Sequence, residues 1–247
     1  MTTAERRFDL SAAAWDGSYD GRDPEAHRVT SRLAAAVELV GPGPGTILDI
    51  GVGSGRLLEA LSGRGWTVSG VDIDPEMIEL AKRRIPDAAG RLAVARAEEL
   101  SFADGAFDVA VVIGVLEYTL VPTELEELAR VLRPGGTALV GLHGCRSPAT
   151  VWRQRVAVPV ARRVKRIVPF GRPIQAGRPV GVEEATRALE AVGLSVERVV
   201  PVGAQLLPDP LDRLAPELAY RTGRWAERFP RLRRVFSTQR LVLARKR

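Results

Sequence analysis

The chain has 247 residues, 45% of them hydrophobic and 27% charged, which suits one large α/β domain with a sizeable buried core and excludes a disordered chain. Its single cysteine, Cys145, excludes an intrachain disulfide and a cysteine-rich metal or iron–sulfur centre, and a reducing compartment fits. The main apolar run, residues 109–116, is far shorter than the ~20 residues of a membrane-spanning helix, and the first seven residues lead into no segment typical of a signal peptide, so we expect a cytoplasmic protein.

The first half of the chain alternates short apolar runs with helical patterns. This alternation is typical of βαβ units, in which helices cover both faces of a parallel sheet. Strands are predicted at Thr46–Ile50, Thr67–Asp72, Arg91–Ala95, Phe107–Ile113 and Ala138–Leu142. Helices are predicted at Arg28–Val40, Arg56–Leu61, Pro75–Arg84 and Thr123–Leu132. We interpret the Gly-Pro run at 41–45 as a loop, because the residues before it are too few for a separate core.

The second half of the chain is less regular. A helix is predicted at Val182–Val192, strands at Leu194–Val202 and Gln239–Ala244, and a basic helix ending near Arg228. The segment from Arg146 to Arg178 contains a helical pattern with one basic face and one apolar face. The apolar face consists of Val156, Val160, Val164 and Ile167. Such a face suits a lipophilic or anionic acceptor, or a membrane surface; the alternative is that it packs on the body of the protein.

Charge is distributed unevenly between the two halves. Residues 1–145 contain 14 basic and 22 acidic side chains, whereas residues 146–247 contain 22 basic and 8 acidic ones. The basic half predicts contact with something anionic, which could be a substrate, a membrane surface or nucleic acid. The alternative is that arginine, which provides 33 of the 36 basic residues, only solvates exposed helix faces.

A glycine-rich turn follows the first predicted strand, in the segment ILDIGVGSG from Ile47 to Gly55. Glycine lets the backbone bend sharply and approach a ligand closely, and the N-terminus of the following helix offers unpaired N–H groups. The dinucleotide pattern G-x-G-x-x-G would place its last glycine at position 56, which is Arg56. The spacing therefore disfavours an NAD site, and the turn alone does not identify its ligand.

An acidic residue ends the second predicted strand, at Asp72 in the segment GVDID. At the carboxyl edge of a parallel strand, a carboxylate can accept hydrogen bonds from both ribose hydroxyls of a nucleoside-type cofactor. The alternative is that Asp72 caps the helix that begins at Pro75, but Asp74 is already placed for that role. We therefore favour ligand binding for Asp72.

Four motifs in this order and spacing resemble the class I S-adenosylmethionine-dependent methyltransferases, specifically the small-molecule, methyltransferase type 11-like group that includes quinone and natural-product enzymes. They are ILDIGVGSG, GVDID, AEELSFADGAFDVAV (Ala97–Val111) and LEELARVLRPGG (Leu125–Gly136). The resemblance covers residues 8–143, with a weaker match at Val182–Val199. It implies a Rossmann-like, seven-stranded, mostly parallel sheet with helices on both faces, an antiparallel last strand and a helical insert after the fifth strand.

The resemblance also implies how a single methyltransferase domain over residues 1–247 is organised. Residues 1–45 would form an N-terminal helical lid, and 46–145 the cofactor-binding core. Residues 146–180 would form a substrate-capping insert, and 181–247 the rest of the sheet with a basic helix. Three side chains of the lid segment are candidates for closing over the site: His27, Trp15 and Tyr19.

The same resemblance implies roles for individual residues toward S-adenosylmethionine. The methionine part would be surrounded by Asp49, near its amino group, and by Gly51, Gly53 and Gly55. The ribose would be held by Asp72, and the adenine would contact Ile73, Ala97 and Glu98. The sulfonium and the path to the substrate would be bordered by Ile113, Gly114 and Glu117.

Two positions depart from the family pattern. Relatives commonly have Asp before Ala97, where it accepts a hydrogen bond from the adenine amino group, but this chain has Arg96. Because Arg has no acceptor, Glu98 or the backbone must serve instead. Many relatives have His where this chain has Tyr118, which removes a familiar candidate base. The alternative for both Glu117 and Tyr118 is that they are ordinary polar residues of a loop.

Methylation of an oxygen nucleophile requires removal of a proton as well as alignment with the methyl group. The chain has two histidines. His143 follows the fifth predicted strand, at the edge where open α/β folds bind ligands, so it is our candidate base, with Tyr118 as a second candidate catalytic residue. The alternative is that His143 is structural or exposed to solvent. We expect no metal, because no His/Asp cluster has ligand spacing.

These observations favour a methyltransferase that uses S-adenosylmethionine to methylate a small, lipophilic or anionic acceptor, with O-methylation preferred. Peripheral contact with an anionic membrane surface would fit the same charge pattern. An RNA methyltransferase is the main alternative, although no Asn/Asp-Pro-Pro-aromatic motif and no second RNA-binding module are present, so we do not expect a nucleic-acid partner. An NAD-dependent oxidoreductase and a non-catalytic cofactor-binding protein remain alternatives of another class.

Overall fold

A computed structural model describes residues 11–115, 122–143, 148–152, 155, 180–208 and 211–247. They form a seven-stranded sheet in the order β3-β2-β1-β4-β5-β7-β6. The strands are β1 Gly45–Ile50, β2 Trp66–Asp72, β3 Leu92–Val94, β4 Phe107–Val112, β5 Leu132–His143, β6 Leu194–Ala204 and β7 Ser237–Lys246. Only the β5–β7 and β6–β7 pairs are antiparallel, so β7 alone runs against the rest. The predicted fold class is thus confirmed.

Ten α-helices and one short 3-10 helix accompany the sheet in the described part of the chain. They are α1 Ala12–Gly17, α2 Pro24–Val40, α3 Arg56–Ser62, α4 Pro75–Arg84, the 3-10 helix Pro86–Arg91, α5 Pro122–Val131, α6 Pro148–Trp152, α7 Val182–Ala191, α8 Leu211–Leu214, α9 Pro216–Glu227 and α10 Pro230–Phe236. The sequence did not predict α1, α8, α10 or the 3-10 helix. It also placed the start of α2 four residues late, because the capping carboxylate of Asp23, which accepts from the Ala26 N–H at 2.8 Å, precedes the first periodic apolar residue.

The sheet separates two apolar layers. On one face, α5 and α7 bury leucines such as Leu128 and Leu189 against alternate residues of the strands. On the other face, α2, α3 and α4 cover the intervening strand residues, with Leu58 and Ile78 fully buried. Burial on both faces explains why the parallel strands are nearly continuous apolar runs in the sequence. No helix in the described part of the chain is long and apolar enough to cross a membrane.

The order of the strands determines where a ligand can bind. From β1 the chain builds outward through β2 to β3, and then returns to place β4 and β5 on the other side of β1. In open α/β sheets, such a reversal leaves a crevice outside the carboxyl ends of the two central strands. The residues that follow β1, β2 and β4 therefore meet at this edge.

His27 joins α2 to β6 and α9. Its side chain is only 3% exposed, and its Nε2 lies 3.1 Å from the carbonyl oxygen of Ala204. Its Nδ1 lies 3.2 Å from the hydroxyl of Ser31, and Glu227 approaches within 3.9 Å. His27 is thus enclosed by the protein, and it is not a side chain that closes over an open site. Burial is the main cause that lowers the pKa of His27 to about 4.

We expect this histidine to make stability depend on pH. Because the pKa of His27 falls from 6.5 in the unfolded chain to about 4 in the folded one, acidification from pH 6.5 to 4 protonates the unfolded state first. Stability should therefore be complete above pH 6.5 and fall below it, by up to about 3 kcal/mol, which is 1.36 kcal/mol for each pKa unit. Burial raises the pKa of Glu227, which acts in the opposite direction and reduces the net loss.

Urea unfolding measured across this pH range tests the expectation. His27→Gln keeps a donor for the Ala204 carbonyl but does not titrate, so its stability curve should be flatter than that of the unmodified protein between pH 6.5 and 4. His143→Gln, which changes the other histidine of the chain, serves as the matched variant. An unchanged slope in His27→Gln would contradict the assignment.

Candidate functional site

The glycine turn connects β1 to α3 at the carboxyl edge of the sheet. It is held to β2 because the N–H groups of Gly51 and Val52 donate to the Val71 carbonyl at 2.8 and 2.9 Å. Gly51, Gly53 and Gly55 have φ of 82°, 53° and 83°, in the left-handed region that favours glycine. A Cβ on Gly51 would collide with Val115, whereas a Cβ on Gly53 would meet nothing within 4 Å. The middle of the turn therefore faces open space.

Asp72 closes the turn from the neighbouring strand. One carboxylate oxygen accepts the Gly53 N–H at 2.8 Å, and the other accepts the Asp74 N–H at 3.0 Å. Burial raises the pKa of Asp72, while these backbone donors act to lower it. Each oxygen keeps a further lone pair, so the carboxylate is oriented by the backbone and can still accept from a ligand. Asp74 caps α4 by accepting from the Glu76 N–H at 2.8 Å, as predicted.

Asp49 lies next to the end of β1 and is 3% exposed. Burial is the main cause that raises its pKa well above the usual range, and the nearby charge of Asp72 raises it further. The guanidinium of Arg32, a 6% exposed residue of α2, acts in the opposite direction. Arg32 was not among the predicted site residues, since nothing in a helix sequence shows that an arginine will be buried near a strand. A buried carboxylate at a ligand-binding edge is suited to a cationic group.

The predicted adenine edge lies beside β2 and β3. Ile73 is 44% exposed, which is unusual for an isoleucine and leaves an apolar surface next to Asp72. Ala97 packs against the core beneath. Arg96 forms an ion pair with Glu98, with Nη2 3.1 Å from Oε1. The carboxylate of Glu98, a predicted acceptor for the adenine amino group, is thus paired with Arg96 in this structure.

The remaining predicted residues lie after β4 and β5. Ile113 and Gly114 are half-buried just past the end of β4. Glu117 and Tyr118 lie outside the described residues, as do Val156, Val160, Val164 and Ile167 of the insert. His143 is the last residue of β5, and its backbone pairs with that of Gln239 on β7. The fold therefore brings the strand ends that carry Asp49, Asp72, Ile113 and His143 to one edge.

A charged cluster that the sequence analysis missed holds α1 against the back of the glycine turn. We call Asp16, Ser54, Arg56 and Arg84 the Asp16 cluster. Asp16 accepts from the hydroxyl of Ser54 at 2.5 Å, from Nε of Arg56 at 2.7 Å and from Nη2 of Arg84 at 2.8 Å. Arg84 also donates to the Ser54 carbonyl at 2.8 Å. One carboxylate thus connects α1, the turn, α3 and α4.

Further contacts surround the Asp16 cluster. Asp20 accepts from Arg56 at 2.9 Å, and the Arg56 guanidinium lies 4.8 Å from the centre of the Tyr19 ring. The hydrogen bond from Arg56 is the main cause that lowers the pKa of Asp16. Arg56, which the sequence showed only as a departure from the dinucleotide pattern, therefore has a structural role of its own. No spacing rule links residues 16, 56 and 84, so only the fold reveals the cluster.

Comparisons with known proteins agree with this geometry. The model of a family described as "Methyltransferase domain" matches residues 48–140. A 2-phytyl-1,4-naphthoquinone methyltransferase from Nostoc sp. is 31% identical over 212 residues, which cover 79% of this chain and 91% of that protein. An uncharacterized methyltransferase from Mycobacterium sp. is 37% identical over 151 residues, 60% of this chain and 55% of that protein. This chain thus spans about half the length of the mycobacterial relatives it matches.

Solved structures show the same fold. A SAM-dependent methyltransferase from Thermotoga maritima superimposes with a TM-score of 0.60 at 19% identity, covering 94% of this chain and 95% of that one. The fold, the glycine turn and the acidic strand ends agree with the match to the Nostoc protein, which covers most of both chains. The chain belongs to the class I S-adenosylmethionine-dependent methyltransferases, and its cofactor is S-adenosylmethionine.

Proposed function

We propose that this protein transfers the methyl group of S-adenosylmethionine to a small acceptor that is lipophilic or anionic, with an oxygen as the preferred methylated atom. The observation that supports methyl transfer most directly is the Asp72 carboxylate, which the backbone orients beside the open space at Gly53. The division into lid, core, insert and C-terminal part, with boundaries at 45, 145 and 180, belongs to the same proposal.

Three contacts between the described residues and the cofactor belong to this proposal. Asp72 would accept from the ribose hydroxyls, the exposed face of Ile73 would contact adenine, and Asp49 would pair with the amino group. When bound, S-adenosylmethionine supplies a methyl group already activated on a sulfonium. A cationic amino group would offset the burial that raises the pKa of Asp49, so binding should favour its ionised form.

The acceptor must be aligned and shielded from water by other parts of the chain. His143 would accept the proton of an oxygen nucleophile, and Tyr118 is the second candidate catalytic residue. Glu117 would line the path from the sulfonium, together with Ile113 and Gly114. Two observations support a lipophilic or anionic acceptor: the basic composition of residues 146–247, and the likeness to a protein named for a phytyl naphthoquinone.

Labelled S-adenosylmethionine offered with parallel pools of quinols, phenolic small molecules and RNA tests this proposal. We expect label in a quinol or phenol fraction, and NMR of the product should show a methoxy group. Label on carbon or nitrogen would contradict oxygen as the acceptor atom, and label in RNA alone would favour the RNA alternative. Binding without turnover in every pool would favour a non-catalytic cofactor-binding protein.

Binding measurements alone distinguish S-adenosylmethionine from NADH as the ligand. A specific ligand raises the unfolding temperature, so S-adenosylmethionine should stabilise the protein and NADH should not. Stabilisation by NADH would instead support an oxidoreductase. A gel shift on RNA that weakens with salt would support nucleic-acid binding, since such affinity depends on released counterions.

A further inference from the structure

A concentrated apolar surface lies far along the chain from the cofactor motifs. Nine large apolar side chains in the described part of the chain are strongly exposed, and six of them fall within residues 211–236. These six are Leu211, Leu214, Leu218, Trp225, Phe229 and Val235, with exposed fractions from 45% to 77%. Scattered exposed apolar residues need no explanation, but a concentration in three consecutive helices marks an interaction surface. We call it the α8–α10 surface.

Aromatic and apolar side chains on this surface adjoin one another. The rings of Trp225 and Phe229 lie 4.8 Å apart, between centres. They line an open groove of about 510 Å³ together with Pro230, Arg231 and Leu232. A further exposed tryptophan, Trp152 at 45%, belongs to α6, a helix that contacts α10. The apolar area therefore extends to the beginning of the insert.

The α8–α10 surface is also strongly basic. Residues 211–236 contain seven arginines and three acidic residues. Two of the three acidic side chains are turned inward: Asp212 is 9% exposed, and Glu227 accepts from the Ala204 N–H at 2.7 Å. Four residues of α9 and its C-terminal cap follow one another at intervals of three or four, which places them along one face: Leu218, Arg221, Trp225 and the cap Arg228. Apolar and cationic groups thus share one face.

We propose that the α8–α10 surface binds peripherally to a lipid membrane with anionic headgroups. Arginines would pair with the headgroups, while tryptophan, phenylalanine and leucine would enter the interface between headgroups and acyl chains. Exposed aliphatic residues such as Leu214, at 77%, favour a lipid surface over RNA, because they have no aromatic face on which a base can stack.

Charge also favours a membrane over two possible protein occupants of this surface, a second copy of the chain and the insert of this chain. A second copy of the chain that docked through this same surface would bring the two sets of arginines together. The insert of this chain, residues 146–178, contains nine basic residues and no acidic one, so it would be repelled in the same way. An anionic membrane would be attracted both by the α8–α10 surface and by the insert. The proposal does not depend on which acceptor the protein methylates.

Co-sedimentation of the full chain with vesicles tests the proposal. We expect binding to vesicles of phosphatidylcholine mixed with phosphatidylglycerol, weakening with salt, and little binding to phosphatidylcholine alone. The double variant Arg221→Glu with Arg228→Glu should lower the partition coefficient at least about tenfold. Leu214→Ser with Trp225→Ser should lower it similarly. Cofactor binding measured in solution should be unchanged in all variants, which separates failure of this surface from failure of the methyltransferase site.

Matched controls lie near the opposite edge of the sheet, beside β3. Arg83→Glu reverses an exposed arginine of α4, and Val94→Ser removes an exposed apolar side chain of β3, 55% exposed. Neither should change vesicle binding. Equal loss in control and surface variants, equal binding to both kinds of vesicle, or no binding to either would overturn the proposal. Binding of RNA that the surface variants abolish, without vesicle binding, would show the surface to be a nucleic-acid site instead.

Discussion

Asp72→Ala should reduce the affinity for S-adenosylmethionine at least about a hundredfold while the protein stays folded. Hydrogen bonds to a charged group contribute roughly 1.5–3 kcal/mol each, and losing two from the ribose amounts to about 3 kcal/mol, or more than a hundredfold in Kd. The variant also frees the Gly53 and Asp74 N–H groups, which Asp72 now accepts at 2.8 and 3.0 Å. Calorimetric titration with S-adenosylmethionine measures the effect.

Asp74→Ala provides the matched control two residues away. It removes the cap of α4, with an expected cost of about 1 kcal/mol in stability and little change in cofactor affinity. Asp72→Asn keeps one acceptor oxygen but turns an amide N–H toward one of the two backbone donors. Its affinity for S-adenosylmethionine should therefore lie between those of Asp72→Ala and Asp74→Ala. If Asp72→Ala binds the cofactor as tightly as the unmodified protein, the assignment of the ribose site is wrong.

The core of the fold could be predicted because its signals are local. Buried parallel strands are apolar runs, and glycine or proline marks their ends, so β1, β2 and β4 were predicted within one residue of their observed bounds. The bounds of β5 were harder to predict. Its pairing with β4 shifts between Phe107/Leu132 and Val109/Thr137, and Pro134 with its glycines lies within that irregularity. The sequence predicted the later part of this strand, Ala138–Leu142, but assigned Leu132 to the preceding helix.

The site could be predicted only where a ligand imposes a motif. The glycine turn and Asp72 are such cases, since a turn and a strand-end carboxylate must recur at fixed spacing. Arg32 and the Asp16 cluster carry no such pattern, because partners far apart in sequence are brought together by packing of α1 and α2. Burial likewise shifts the pKa of His27 and of Asp49, and the burial of a side chain depends on the whole fold.

Asp16→Ala should weaken both the fold and the cofactor site. Asp16 is 20% exposed and pairs with both Arg56 and Arg84, so its removal takes one carboxylate partner from each of two partly buried guanidinium groups, which keep their pairs with the more exposed Asp20 and Glu59. Breaking a fully buried pair costs about 3–5 kcal/mol. Partial exposure reduces this to about 2 kcal/mol, or a fall in Tm of roughly 4–8 °C. Because Ser54 belongs to the glycine turn, the affinity for S-adenosylmethionine should also fall, by about tenfold, which is about 1.4 kcal/mol.

Asp20→Ala is the control, because Asp20 is 69% exposed and its carboxylate accepts from Arg56, without the contacts to Ser54 and Arg84 that Asp16 makes. Its effect on stability should stay within about 1 kcal/mol, as for other exposed ion pairs. Hydrogen bonding from Arg56 lowers the pKa of Asp16 below 3.8, so the contribution of Asp16 should be complete above that pH and be lost as pH falls through the lowered pKa. A stability loss with unchanged cofactor affinity would mean that the cluster supports the fold without shaping the turn. Equal effects of Asp16→Ala and Asp20→Ala would mean that Asp16 has no special place in the network, since the two carboxylates differ chiefly in the contacts of Asp16 with Ser54 and Arg84.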